Sequence, residues 1–276
     1  MFQRFARRQL MNFAAAAVCG GLLGSVALKA NAQTVDEIKK KGTVTIGILV
    51  DFPPYGTVDS SNQPDGYDAD VAKLLAKDWG VKLNLVPVTG PNRIPYLLTN
   101  KVDLLIASFS PTPDRAKQVQ FSRPHSAATI VLFGEKKLSI KTPADLKRVR
   151  VAVARASTQD TALTAIAPEG TEIRRFDDDA SAMQALLSGQ VDALGCATTV
   201  AAQIAKRPGG DAFENKLVLR QQYMAPTMRL GQPDLLKGVD AFVGKYVDNG
   251  ELNKLYKKWL QTDLPTLPTA ALPAAK

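Results

Sequence analysis

Short apolar runs and amphipathic stretches alternate along this chain, and the alternation is played through twice. The first round predicts strands over 44–48, 81–88 and 102–107, with helices over 67–79 and 92–99 between them. In the longer helix Val71, Leu74, Leu75 and Trp79 recur at three- and four-residue spacing, and Gly80 stops it. An extended stretch over 129–133 leaves this unit. The pattern then restarts, with strands over 149–153, 172–176 and 192–195 and a last short one at 218–219. Helices are expected over 158–167, 179–188 and 199–206, and two amphipathic ones, 233–248 and 251–261, close the chain. Strands separated by helices pair in parallel and place ligand sites at the carboxyl ends of the strands.

One such strand end carries most of the chemistry. Residues 104–115 read LLIASFSPTPDR. The first four suit a strand buried on both faces. Thr112, Pro113 and Asp114 then make a helix start: a hydroxyl cap, proline at the first position and an acid in the first turn. Arg115 is poorly placed there, because a helix N-terminus is already positive; the penalty is roughly 0.3–1 kcal/mol at an exposed site. Backbone N–H groups, the hydroxyls of Ser108 and Ser110 and a guanidinium converge where an anion such as a carboxylate fits. The plainer alternative stands level with it: Arg115 solvated and paired with Asp114 or a neighbour.

The ends of the chain do not belong to this pattern. Arg4, Arg7 and Arg8 precede an apolar run from Phe13 to about Leu28, and Ala30-Asn31-Ala32 offers a cleavage site, so residues 1–32 read as a secretory signal. Arg7-Arg8 lacks the flanks of a twin-arginine signal, which favours Sec export. Removing the leader takes four cations and no acid, so the net charge falls from +9 to +5, which does not call for nucleic acid. Cys196 alone survives, leaving no intrachain disulfide. From 264 onward proline and alanine dominate, and a disordered tail is expected. No zinc spacing, nucleophile elbow or phosphate-binding glycine loop is found, and no cofactor or metal site is expected.

Five stretches in a fixed order carry a family resemblance: VTIGILVDFPPYG, GYDADVAKLLAKDWGV, VPVTGPNRIPYLLTNKVDLLIAS, SPTPDRAKQVQFSRP and NGELNKLYKKWL. Together they span about residues 42–261, and the chain resembles the periplasmic polar-amino-acid-binding proteins of ABC importers, solute-binding family 3. The resemblance implies an α/β, two-lobed periplasmic-binding-protein fold of type II, with two crossing strands near 130–134 and 223–226. Lobe 1 is expected over 43–131 plus 225–263 and lobe 2 over 132–224, with a ligand cleft between them that closes by hinge motion. It implies a monomeric, non-catalytic receptor in the periplasm whose partners are a small amino acid or related carboxylate and a membrane-embedded ABC permease.

Carried over position by position, Arg115 matches the family's arginine for the ligand α-carboxylate, with backbone or hydroxyl groups of Ser108 and Ser110 assisting. Phe52 falls where an aromatic stacks on the ligand, and Ser157 and Thr158 match second-lobe hydroxyls whose other role is helix capping. Arg93 matches a contact to the side chain of acidic ligands, or else braces its own loop; a second basic residue of those binders, on the first strand, is here Leu49. The chain departs from the family at Ala197, where an aspartate usually binds the ligand ammonium. Asp179 is the nearest substitute, although the residues around it favour a solvated loop with Asp179 as helix N-cap. His125, the sole histidine, is expected to pack at the cleft rim. The rival reading is a periplasmic enzyme on this scaffold, of the cyclohexadienyl dehydratase type, which needs a carboxyl acid in the cleft.

Overall fold

Local capping sets the entry to the first unit. In the computed structural model, which describes residues 33–270, Thr34 accepts a bond from the Glu37 amide while the Glu37 carboxylate accepts one from the Thr34 amide, and α1 (Val35–Lys41) follows. The leader expected over 1–32 lies outside the described residues. Next come β1 (Thr43–Ile48), a small hairpin of β2 (Thr57–Val58) and β3 (Pro64–Asp65), α2 (Tyr67–Trp79), β4 (Lys82–Pro87) and α3 (Arg93–Leu98). Then follow β5 (Leu104–Leu105), α4 (Pro113–Ala116) and β6 (Val119–Phe121). The second unit holds β7 (Ser126–Glu135), β8 (Arg150–Ala154), α5 (Thr158–Ile166), β9 (Glu172–Phe176), α6 (Asp179–Leu187), β10 (Ala193–Ala197), α7 (Thr198–Ala205) and β11 (Phe213–Met224). The chain then returns as β12 (Thr227–Arg229), α8 (Pro233–Asp248) and α9 (Glu251–Leu260).

These strands form two five-stranded sheets, ordered β4-β1-β5-β12-β6 and β11-β7-β10-β8-β9. β1 lies parallel to β4 and β5, and β8 parallel to β9 and β10, as the βαβ pattern requires. Only short links join the sheets, from β6 into β7 and from β11 into β12. β7 and β11 pair antiparallel along almost their whole length, from Ser126 opposite Met224 to Glu135 opposite Phe213. They are longer than the crossing segments expected near 130–134 and 223–226.

Around the first sheet, α2 buries Tyr67, Val71, Leu75 and Trp79, and α8 and α9 add Leu235, Val239, Phe242, Leu252 and Tyr256. Each such side chain contributes on the order of 1.5–3 kcal/mol of burial. Gly80 ends α2 at φ 69°, its amide bonding the Ala76 and Lys77 carbonyls. Leu132, Val151, Val153 and Leu163 fill the second unit. Three tyrosines tie the base of β7 to the first unit: the Tyr55 and Tyr256 hydroxyls donate to the Ala127 carbonyl at 2.8 and 3.1 Å, and Tyr67 donates to His125 O at 2.6 Å.

Some expectations need correction. The strand expected at 218–219 is twelve residues long. It pairs on one side only, and its Glu214, Lys216, Arg220, Gln221 and Gln222 are residues an edge strand tolerates. The tail does not begin at 264. Leu264 N–H donates to Asn253 Oδ1 of α9 at 2.8 Å and Leu267 is buried, while the rest of the expected tail, 271–276, lies outside the described residues.

Candidate functional site

The strand end at 104–108 meets α4 through an unusual turn. Ser108 has φ 47°, a left-handed conformation that a residue with a Cβ adopts only when held there. What holds it is Asp68, in the first turn of α2: the Ser108 amide and hydroxyl both donate to its Oδ2 at 2.7 Å. His125 Nε2 lies 3.1 Å from the other oxygen, and all three residues are buried. His125 is therefore not at the cleft rim. It is fully buried and stacks on Tyr67 with ring centroids 5.9 Å apart. The Ser108 amide and hydroxyl are thus engaged inward, although the residue borders the same cavity as Arg115.

Phe109 comes next, and two guanidinium groups lie over its ring. Arg115 is 4.1 Å and Arg93 4.5 Å from the centroid. Thr112 caps α4 as expected, accepting from the Arg115 amide. Arg115 Nη1 donates to the Ser110 carbonyl at 2.8 Å and Nη2 to the Ala156 carbonyl, in the second unit, at 2.7 Å. Ser110 thus contributes its carbonyl; its hydroxyl is buried without a partner and does not line the cleft cavity. Asp114 pairs with Lys117 instead of Arg115, at 2.8 Å. Among the described residues no carboxylate lies within ion-pair distance of Arg115. Burial holds its guanidinium well below the usual basicity, and the nearby cations Arg93 and Arg220 push the same way.

Arg93 is almost fully buried, its Nη1 donating to Ala107 O at 3.1 Å and its Nη2 to Ala156 O at 3.3 Å. Burial lowers its pKa to about 10, against the pull of Asp179, Asp51 and Asp68. The carbonyl of Ala156 therefore takes bonds from two arginines of the other unit. Ala156 itself is left-handed at φ 55°, a second residue in a conformation that costs on the order of 1–3 kcal/mol. Gly90 also touches this segment; a Cβ there would stand 2.5 Å from the Arg155 carbonyl.

Across the cleft, Asp179 sits at the start of α6, but Asp178 is the cap, accepting from Ser181 N at 2.6 Å. This corrects the solvated-loop expectation: the Asp179 side chain lines the cavity, its Oδ1 3.4 Å from Gln159 Nε2. The residue keeps some solvent contact, yet burial of its carboxyl raises the pKa to about 7, with the Asp51 charge adding and Arg93 opposing. Asp51, three residues after the end of β1, accepts the Asp179 amide at 2.8 Å and has its own pKa raised, chiefly by burial.

These groups surround a cavity of about 20 Å³, room for roughly one water. Arg115, Arg93, Ser108, Phe52, Ser157, Thr158 and Asp179 border it; of the eight residues singled out in the sequence, Ser110 alone does not. Ser157 caps α5 through its hydroxyl, Thr158 donates to Gln159 Oε1, and Phe52 is mostly buried against Tyr55 at 5.6 Å. Leu49, which stands where acidic-ligand binders have a basic residue, also borders the cavity, and Gln159 and Gln222, not anticipated as site residues, complete the wall. Nothing in the local sequence marks Gln159 or Gln222. Asp51 stands directly before Phe52, and that adjacency to a site aromatic was the available signal.

The arrangement, then, is a narrow cleft between two α/β units, with unpaired cations on one wall and a carboxyl opposite. Residues 44–262 match the sequence profile of the bacterial extracellular solute-binding proteins, family 3. The chain belongs to this family. It is 26% identical over 260 residues to the L-cystine-binding protein TcyJ of Escherichia coli strain K12, a match covering 94% of this chain and 97% of that one. Among solved structures, it is similar to a solute receptor for L-cysteine of Neisseria gonorrhoeae, at TM-score 0.77 and 31% identity, over 83% of this chain and 94% of the other. It is also similar to an ancestral amino-acid-binding protein, AncCDT-1, described as a precursor of cyclohexadienyl dehydratase. That match has TM-score 0.76 and 35% identity over 83% of this chain and all of the other. The family's two-lobed fold accounts for the two sheets and the paired strands that run between them.

Proposed function

We propose that this protein is an exported receptor that closes two lobes on a small amino acid or related carboxylate and hands it to a membrane permease, without catalysis. The lobes divide as residues 43–131 plus 225–263 and 132–224, with β7 and β11 as the hinge strands. One observation carries the reading: Arg115 lies inside the inter-lobe cleft with its guanidinium answered only by neutral carbonyls. A ligand α-carboxylate replaces the Ala156 carbonyl as its acceptor, since a charged acceptor makes the stronger bond, about 1.5–3 kcal/mol. The ammonium meets Asp179, with Asp51 beside it, in place of the aspartate this chain lacks at Ala197. A few such bonds reach micromolar affinity, about −8 kcal/mol. Because both walls touch the ligand only when the lobes meet, binding favours the closed form. The named ligands of the relatives support an amino acid, and the family's extracellular setting supports export to the periplasm.

Thermal-shift titration against the common α-amino acids tests this. At least one should raise the melting temperature of the wild type, and Arg115→Ala should abolish that rise. A rise that survives the substitution removes Arg115 from the site.

Asp179 gives the enzymatic alternative its one support, as a carboxyl with a pKa near neutrality in the cleft. Incubation with prephenate or arogenate decides it: product formation that Asp179→Asn abolishes makes the protein a dehydratase, and no product leaves it a receptor.

A further inference from the structure

The Arg115–Ala156 bond has a second cavity on its other side, larger than the first, at about 330 Å³. Arg115 and Ser157 border both. The lining of the outer cavity includes the apolar Pro91, Ile94 and Phe109 and, from the other lobe, Arg220. Arg220 stands on β11 where the register with β7 slips between Val218 and Arg220. Irregularities of this kind re-aim a side chain and are frequent beside binding sites. The acid that lines the outer cavity, Asp114, is held by Lys117 at 2.8 Å, and among the described residues no carboxylate pairs with Arg220.

Charge around the two spaces is unbalanced. Arg93 has Asp179, Asp51 and Asp68 around it, whereas Arg115 and Arg220 border the outer cavity, whose one lining acid, Asp114, is held by Lys117. The single carboxylate of a neutral zwitterion answers Arg115 and leaves Arg220 unpaired, whereas an amino acid with a second acid answers both. The partition between the cavities is the bond from Arg115 to the Ala156 carbonyl. A ligand carboxylate that captures Arg115 removes the partition, and the joined space falls at the lower end of the roughly 300–1,000 Å³ typical of small-molecule sites.

We propose that the ligand is an amino acid with a second anionic group, which reaches past Arg115 into the outer cavity and pairs with Arg220. This rests on the amino-acid reading above and names the ligand class within it. The apolar lining then covers the methylene groups between the two acids, and Arg220 reads the distal charge.

Calorimetry on the purified protein tests this with two matched pairs, L-glutamate against L-glutamine and L-2-aminoadipate against L-norleucine. In at least one pair the acid should bind tenfold or more tightly than its neutral partner, and Arg220→Gln should shrink that ratio to threefold or less. Equal affinities within both pairs overturn the inference, as does an Arg220→Gln protein that keeps the wild-type ratio. Binding of other α-amino acids with none of these four overturns it too, while leaving the receptor reading intact. If no α-amino acid binds, the receptor reading itself falls.

Discussion

Gly90 offers a way to perturb closure without touching the ligand. Its backbone does not require glycine for conformational reasons; the constraint is the Arg155 carbonyl in the opposite lobe, which a Cβ would approach to 2.5 Å. Carbon–oxygen contacts settle near 3.3–3.6 Å, so Gly90→Ala should hold the lobes apart by about 0.8–1.1 Å at this point. That separation stretches the 3.3 Å bond from Arg93 to the Ala156 carbonyl, and the bonds by which a ligand bridges the lobes, beyond useful hydrogen-bond range. With each charged bond contributing about 1.5–3 kcal/mol and some recovered from water, the closed form should lose about 1.5–3 kcal/mol. Ligand affinity should fall roughly 10- to 100-fold. Calorimetry with the best ligand gives the affinity, and a melt of the ligand-free protein gives the control, which should move little because each lobe keeps its core. An affinity within twofold of wild type would refute the reasoning. So would a ligand-free melting temperature lowered by several degrees, since the defect would then lie in the fold.

Two further outcomes follow from the buried acids. Asp68→Asn removes the charged acceptor of the Ser108 amide, the Ser108 hydroxyl and His125; a loss of about 2–3 kcal/mol should lower the melting temperature by roughly 5–10 °C, measured by calorimetric scanning. Asp179 has a folded pKa near 7 against an ordinary carboxylate value of 3.8, so the folded protein holds the proton more tightly than the unfolded chain. Its contribution to stability is full below about pH 4 and is lost as pH rises through 7, a slope that Asp179→Asn should flatten in melts across that range. Ligand binding should run the other way. An ammonium favours the ionised carboxyl, so affinity should rise from pH 5 to 8 with proton release, read from titrations in buffers of different ionisation heat.

The parts of this molecule set by local chemistry could be read from the chain. α2 keeps its expected bounds because an apolar stripe, a stop glycine and a capable sequence agree. The start of α4 at Thr112-Pro113 was likewise local. What escaped depends on partners far away in sequence. Ser108 turns inward because Asp68 lies forty residues back, and His125 is buried because α2 supplies both that carboxylate and the Tyr67 ring. Asp179 looks like a loop residue until Asp51, on the other lobe, takes its amide. β11 escaped for another reason: an edge strand needs no apolar period, and its polar residues resemble a loop.

Three phenols clamp the carbonyls of residues 125 and 127, and all of them come from the same lobe. That end of β7 is thereby fixed to its own lobe as a beam is built into a wall. Any flexing must lie farther along, toward Glu135, and the arc traced by a point on the moving lobe grows with its distance from the bend. A slight turn near the root therefore becomes the greatest travel at the rim farthest from it, where a spectroscopic label would report the swing most plainly.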